Sequence, residues 1–374
     1  MAPASRSACN RGSSASRSSC HRGSWRLGQG EQTCFGTFCN LACILVGAGA
    51  LQMGLAYDTV GLGYGTVLVV LLSGLCWWTM TLIPRLFEQA AELAPEEECI
   101  DWPVVVRVAC PGRMAPLAAF FSALFVLELV LVGIAFQVVC ASCMGVVFPS
   151  ASDGLLIRVS TCITIVLFLV PERWLGATSF LGIAAVAVFV LSLSVVGASL
   201  DELGFEASEE IFVRPGGSPH AIGVMGFSVV AHAEAGCLYT QMSDKSKWHA
   251  VTALVFGFAA VVYIAVGLVG FLSYGSGVQE NLLDNIAASD IAWMPKFAAA
   301  LFVVKISAAL PLIMQPLANQ IYAGLARLAL PGGSEGGAEQ HPASPPRGSC
   351  GSALPEGSTE SAGWGRFSAG SFEP

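Results

Sequence analysis

Eight long apolar runs, separated by short polar breaks, occupy most of the sequence between residues 35 and 328. A helix that crosses a bilayer needs about 20 consecutive, mostly apolar residues. The fourth run is marginal at its length, whereas the third and the eighth are long enough to be tilted. The pattern predicts about eight transmembrane helices, at residues 35–56, 63–84, 116–147, 155–171, 175–199, 219–240, 249–274 and 296–326.

The charged fraction indicates the same fold class. Only 12% of the 374 residues are charged and 54% are hydrophobic, whereas a soluble domain carries roughly 25% charged residues. We therefore expect an all-α polytopic (multi-pass) membrane protein surrounded by a lipid bilayer. There is no basic patch with interleaved aromatic residues, so we expect no nucleic-acid partner. Cys140 and Cys143 lie inside an apolar run without a second cysteine pair, which favours packing residues over a metal site.

The two ends differ from residues 34–328, which we expect to form one transmembrane domain. Residues 1–33 are rich in Ser and Arg, a composition typical of a disordered tail and also of an organelle transit peptide. Residues 329–374 are rich in Gly, Ser and Pro and predict a second disordered tail. With the N-terminus in the cytosol, 14 of the 18 Lys and Arg residues fall on the cytosolic side, as membrane proteins favour. The sequence does not indicate which membrane holds the chain.

Two glycine-containing stretches, residues 46–50 in the first span and residues 223–228 in the sixth, predict interrupted helices. Glycine lowers the cost of unwinding, and an unwound stretch offers amides and carbonyls to a ligand. Two such stretches together can bind a small zwitterion near the middle of the membrane. For one glycine pair alone, close packing of helices is the more common explanation. Two pairs at matching positions of two potential repeats favour a binding site.

Ionisable residues inside the spans are the other candidates for function. The sixth span carries His232 and Glu234. Histidine titrates near neutrality, so His232 is the first candidate for relaying a proton and Glu234 is the second. A histidine held by a backbone carbonyl explains His232 equally well. Glu128 stands alone in the third span, and Lys305 in the eighth is expected to extend its amine toward the membrane surface.

Four segments resemble the amino acid/auxin permease family, which includes vesicular, proton-coupled and sodium-coupled neutral amino acid transporters. Residues 38–57 (FCNLACILVGAGALQMGLAY) are similar to the family's opening motif, FNxxNxxxGxGxLxLPYA. Residues 226–247 resemble its sixth helix and the basic loop that follows, and residues 270–283 (GFLSYGSGVQENLL) resemble the end of its seventh. Residues 311–316 (PLIMQP) are similar to part of its eighth helix. The resemblance covers roughly residues 35–327.

The resemblance implies an inverted-repeat transporter fold of five plus five helices, with broken helices 1 and 6. It implies that substrate contacts the unwound backbone at both breaks. The substrate-binding residues would be Cys43, Gly47, Ala48, Gly49, Ala50, Gly226, Phe227 and Ser228. Cys43 stands where sodium-coupled members have an asparagine that helps to hold the ion, which favours a proton over sodium as the coupling ion. Gly54 stands in place of a family proline, which alters how the helix bends.

The family usually has eleven spans and this sequence provides eight, so we expect an incomplete five-plus-five fold. Either C-terminal helices are missing, or a second chain completes the site. The function predicted first is secondary active transport of amino acids or related small zwitterions by alternating access, as a proton-driven symporter. The alternative is a membrane amino acid sensor or partner subunit that keeps the site without transport. We expect no enzyme, cofactor or metal, because the histidines are dispersed and no catalytic groups converge.

Overall fold

A computed structural model describes residues 30–94, 97, 100–169, 172–199, 212–288 and 291–329. The chain divides into two units, Met1–Ala326 and Arg327–Pro374, and the description below concerns the first. The predicted tails, residues 1–33 and 329–374, lie outside the described residues except for 30–33 and 329. Their disorder therefore stays a prediction.

The described residues are almost entirely helical. Their one isolated β-bridge joins Gln32 to Met242, so the all-α class is confirmed. The α-helices in chain order are α1 (Cys34–Leu45), α2 (Met53–Val60), α3 (Leu62–Met80), α4 (Ile83–Leu93), α5 (Trp102–Ala109), α6 (Ala115–Val147), α7 (Asp153–Phe168), α8 (Glu172–Ala198), α9 (Ser218–Ser228), α10 (His232–Gln241), α11 (Trp248–Tyr274), α12 (Leu282–Ala287) and α13 (Met294–Ala329). A short 3-10 helix, Ala48–Gln52, leads into α2.

The described helices are long and apolar enough for a polytopic membrane protein. Six stretches are long and apolar enough to cross a bilayer, namely Leu62–Leu93, Gly112–Val147, Trp174–Ala198, Ser218–Gln241, Lys245–Gly277 and Met294–Tyr322. A seventh span results if Cys34–Leu45 and Ala48–Val60, which are bent by 43°, count as one. The fourth apolar run corresponds to α7, which has only 16 residues. At 1.5 Å per residue α7 is about 24 Å long, shorter than the hydrocarbon core of a bilayer.

Helix α11 lies at the centre of the described helices and packs against α1, α2, α3 and α8. Two glycines allow its close approach to α2. A Cβ on Gly270 would lie 3.1 Å from the Cα of Gly54, and a Cβ on Gly267 would lie 2.4 Å from the ring of Tyr57. Small residues let the backbones of membrane helices come together in this way. The glycine at position 54 therefore serves the contact between α2 and α11.

Candidate functional site

The first span is interrupted where the sequence predicts it. Helix α1 ends at Leu45, and the next two residues have non-helical backbone angles before the 3-10 helix begins. In a continuous α-helix the Leu45 carbonyl would accept the amide of Gly49. Here it accepts the amide of Gly47 at 2.8 Å and contacts the hydroxyl of Tyr263 on α11. A donor from another helix thus takes the place of the next helical turn.

The sixth span is interrupted just after the predicted stretch. Residues 223–228 are helical and form the second half of α9, so the prediction that they unwind is wrong. The interruption consists of residues 229–231, and α10 begins at His232. In a continuous helix the Ser228 carbonyl would accept the amide of His232. Here it accepts the Tyr263 hydroxyl at 2.8 Å, and the helix stops at this carbonyl.

The residues that flank the two interruptions contact each other. A Cβ on Gly49 would lie 1.9 Å from the hydroxyl oxygen of Ser228 and 2.6 Å from its Cβ. The two backbones therefore pass closer than any residue other than glycine permits at position 49. The Tyr263 hydroxyl lies within hydrogen-bond distance of the carbonyls of both Leu45 and Ser228. One side chain at the centre of the protein thus links both interruptions.

A cavity of about 60 Å³ lies between the two interruptions. This volume holds a few water molecules or a ligand of similar size. Six predicted site residues line it: Gly47, Ala48, Gly49, Phe227, Ser228 and Glu234. The rest of the lining consists of Ile44, Leu45, Glu128, Val132, Phe136, Val230 and Ile313. Four other predicted site residues, Cys43, Ala50, Gly226 and His232, are not part of this lining.

Two carboxylates reach this cavity from different helices. Glu234, in the first turn of α10, is buried, whereas Glu128, near the middle of α6, is exposed. Like charges that share a small cavity repel each other, and a bound cation relieves the repulsion. The sequence marks both residues as ionisable groups inside spans. It does not reveal that they face the same space, because they lie on helices far apart in the chain.

The His232 ring contacts α3 rather than the cavity. Its Nε2 lies 2.7 Å from the hydroxyl oxygen of Thr79, and that hydroxyl can donate to the Cys76 carbonyl at 2.9 Å. The indole of Trp102 donates to the His232 carbonyl at 3.1 Å. These contacts agree with a histidine satisfied by hydrogen bonds within the protein. A role for His232 in proton relay stays a prediction.

Lys305 does not extend to the membrane surface, so that expectation is wrong. Its side chain on α13 is only 1% exposed. The amine lies 5.4 Å from the centre of the Phe136 ring and 3.3 Å from the position that a Cβ on Gly47 would take. The gap beside Gly47 and the face of the aromatic ring thus accommodate the amine inside the protein, next to the first interruption.

Two interrupted spans that meet at a small cavity are typical of helical transporters with a binding site near the middle of the membrane. The structure points to this class of membrane protein. A family model described as "Transmembrane amino acid transporter protein" matches residues 30–348. The chain belongs to this family, and the resemblance noted in the sequence is confirmed.

Curated relatives in Arabidopsis thaliana are named amino acid transporters. Amino acid transporter AVT1D is 27% identical over 177 residues, which are 44% of this chain and 32% of that protein. Amino acid transporter AVT1E is 30% identical over 162 residues, which are 39% of this chain and 30% of that protein. Amino acid transporter AVT1J is 26% identical over 136 residues, or 35% and 32% of the two chains. The matched part spans about a third of the length of each relative.

Proposed function

We propose that this chain transports amino acids across a membrane by alternating access around the cavity between its two interrupted helices. The observation that carries the proposal is the contact between Gly49 and Ser228, which flank the two interruptions, beside that cavity. The family that matches residues 30–348, and the amino acid transporters among the relatives, support the substrate class.

The cavity offers complementary groups to the two charges of a zwitterion. Ala48 and Gly49 begin the helical stretch that continues to Val60. Amides at such an N-terminus lack helical partners, and the helix dipole favours an anion there. The substrate carboxylate binds at these amides. The carboxylate of Glu128 faces the same cavity and attracts the substrate ammonium group.

A proton is the coupling ion that this cavity suits best. Glu234 is buried in the cavity wall, and a proton on it removes the repulsion between its charge and that of Glu128. Glu234 takes up a proton with the substrate on one side of the membrane and releases both on the other. The ring of His232, the other candidate, instead contacts Thr79 on α3.

Contacts beyond both ends of the cavity join the first interrupted span to the sixth. Before α1, the amide of Gln32 donates to the Gln241 carbonyl at 3.0 Å, and the Gln32 carbonyl accepts the amide of Ser243 at 2.8 Å. Beyond the other end, the guanidinium of Arg214 donates to the Asp58 carboxylate at 2.9 Å. Alternating access requires that one group of contacts opens while the other stays closed. Both groups of contacts are present in this conformation.

Uptake of labelled amino acids into proteoliposomes across an imposed pH gradient tests the proposal. The full wild-type chain should take up more label when the outside is acidic, because a symporter is driven by inward proton movement. The variant Glu234→Gln should lose this dependence on the gradient, whereas His232→Gln should keep it.

Direct binding of the same amino acids to the detergent-purified chain separates transport from sensing. Binding and uptake together support the proposal. Binding without uptake contradicts transport and supports the sensor. Uptake that does not depend on the pH gradient contradicts proton coupling but agrees with amino acid transport.

A further inference from the structure

The amine of Lys305 is buried without a hydrogen-bond partner among the described residues. None of the ion pairs found in the described part of the chain includes it. A buried charge without a partner is strongly unfavourable, and ionisable residues inside membrane spans usually serve a function. The placement of this amine therefore calls for an explanation beyond packing.

The surroundings of the amine have the properties of a cation site. A Cβ on Gly47 would lie 3.3 Å from the Lys305 amine and 3.4 Å from the carbonyl oxygen of Ile44, so both groups border the same gap. Ile44 belongs to the last turn of α1, where carbonyls lack helical partners and the helix dipole is negative. The face of the Phe136 ring also attracts a cation.

Three helices meet at this position. A Cβ on Gly182 of α8 would lie 2.8 Å from the Sγ of Cys43 on α1 and 3.7 Å from the carbonyl oxygen of Lys305 on α13. The site is thus enclosed by α1, α8 and α13, with Phe136 of α6 on the side of the cavity. In interrupted membrane helices, unwound carbonyls and the C-terminal ends of half-helices coordinate the coupling ion.

We propose that the Lys305 ammonium is a built-in cation that fills an alkali-ion position at the end of α1, so that the wild-type protein binds no sodium there and a variant without the amine does. The consequence that uptake needs no sodium gradient rests on the proposed transport function. The ion position itself is a property of the folded protein and is testable without transport.

Thermal unfolding of the purified full chain in detergent, in sodium chloride and in choline chloride at equal ionic strength, tests the proposal. The wild type should have the same unfolding midpoint in both salts. Lys305→Ala removes the amine and leaves room for an ion. Its midpoint should be higher in sodium chloride by about 2 °C or more, because a ligand that binds only the folded state stabilises it.

Two further variants serve as matched controls. Lys305→Arg keeps a cation in place and should behave like the wild type. Lys296→Ala removes the same charge from an exposed position on the same helix and should show no difference between the salts. If Lys305→Ala does not fold, Lys305→Gln, which retains more of the side-chain volume, replaces it in the same comparison.

A higher midpoint of the wild type in sodium chloride overturns the proposal, and so do equal midpoints of the neutral variant in the two salts. The outcome is independent of uptake. A sodium effect in the variant, combined with no uptake by the wild type, contradicts transport and leaves the ion position standing. Uptake by the wild type, combined with no sodium effect in the variant, contradicts only the ion position.

Discussion

The interruptions of the first and sixth spans meet at one cavity but are built from different residues. The first contains Gly47 and is followed by Gly49, whereas the second, residues 229–231, contains no glycine. A buried amine borders the first, and a buried carboxylate follows the second. What they share is a helix that stops at a carbonyl in contact with the hydroxyl of Tyr263.

In this site, therefore, glycine marks close approach of backbones rather than interruption of a helix. Gly49 has no room for a Cβ because Ser228 occupies that space. Gly223 and Gly226 have open space at the same position and remain helical. Each helix stops where the Tyr263 hydroxyl of α11 contacts its carbonyl. The hydroxyl takes the place of the backbone amide of the next helical turn, and this does not depend on the type of residue that follows.

The variant Gly49→Ala is expected to have the largest effect. The new Cβ would lie 2.6 Å from the Cβ of Ser228 and 3.2 Å from its Cα, so α9 must move. Such overpacking costs about 1–3 kcal/mol. The unfolding midpoint in detergent should fall and uptake should be lost. Gly223→Ala, on the helix that contains Ser228, is the matched control and should unfold like the wild type, because its Cβ meets nothing within 4 Å.

The second variant, Tyr263→Phe, removes the group that both interruptions share. The Leu45 carbonyl keeps the amide of Gly47, but the Ser228 carbonyl loses its donor from α11. A buried carbonyl without a partner costs about 1–2 kcal/mol. The free energy of unfolding should fall by that amount in chemical denaturation.

A tyrosine on the same helix provides the control for this measurement. The hydroxyl of Tyr274 is buried without a hydrogen-bond partner among the described residues, so Tyr274→Phe should not lower stability. Equal losses in Tyr263→Phe and Tyr274→Phe would mean that the two interruptions are not joined through α11.

The helical class of the protein follows from local properties of the sequence. Apolar runs determine where helices cross a membrane, and the first helix does stop within residues 46–50, where the sequence predicts an interruption. The length of α7 was marginal in the sequence and is marginal in the structure. These features depend on neighbouring residues, which a sequence shows directly.

The arrangement of the site depends on contacts between distant parts of the chain, which the sequence does not show. Tyr263 is one aromatic residue within an apolar run, and nothing near it marks a hydroxyl that contacts two carbonyls. The end of α9 depends on that hydroxyl, so the glycine pattern places the second interruption a few residues too early. In the sequence, nothing distinguishes Lys305 from a lysine that extends to the membrane surface. Only the structure shows the gap beside Gly47 that holds its amine.

The third variant, Thr79→Val, sharpens the contrast between the two ionisable residues of α10. It removes the hydroxyl that contacts the His232 ring and should cost about 1 kcal/mol. Because this contact lies on α3, the dependence of uptake on pH should stay that of the wild type, in contrast to Glu234→Gln. A shifted pH profile in Thr79→Val would instead assign the coupling proton to His232.

The smallest effect is expected for Asp58→Asn, at the far end of the first span. Arg214 keeps its hydrogen bond to the backbone carbonyl of Asp58 at 2.8 Å, and the side chains of the pair are 33% and 19% exposed. A partly exposed ion pair contributes about 0.2–1 kcal/mol, and less at high salt. Asp244→Asn, which breaks an exposed pair with Lys247, is the control and should not change the midpoint. A loss in Asp58→Asn as large as that of Gly49→Ala would mean that the end of the span, and not the glycine contact at its centre, holds the two interrupted helices together.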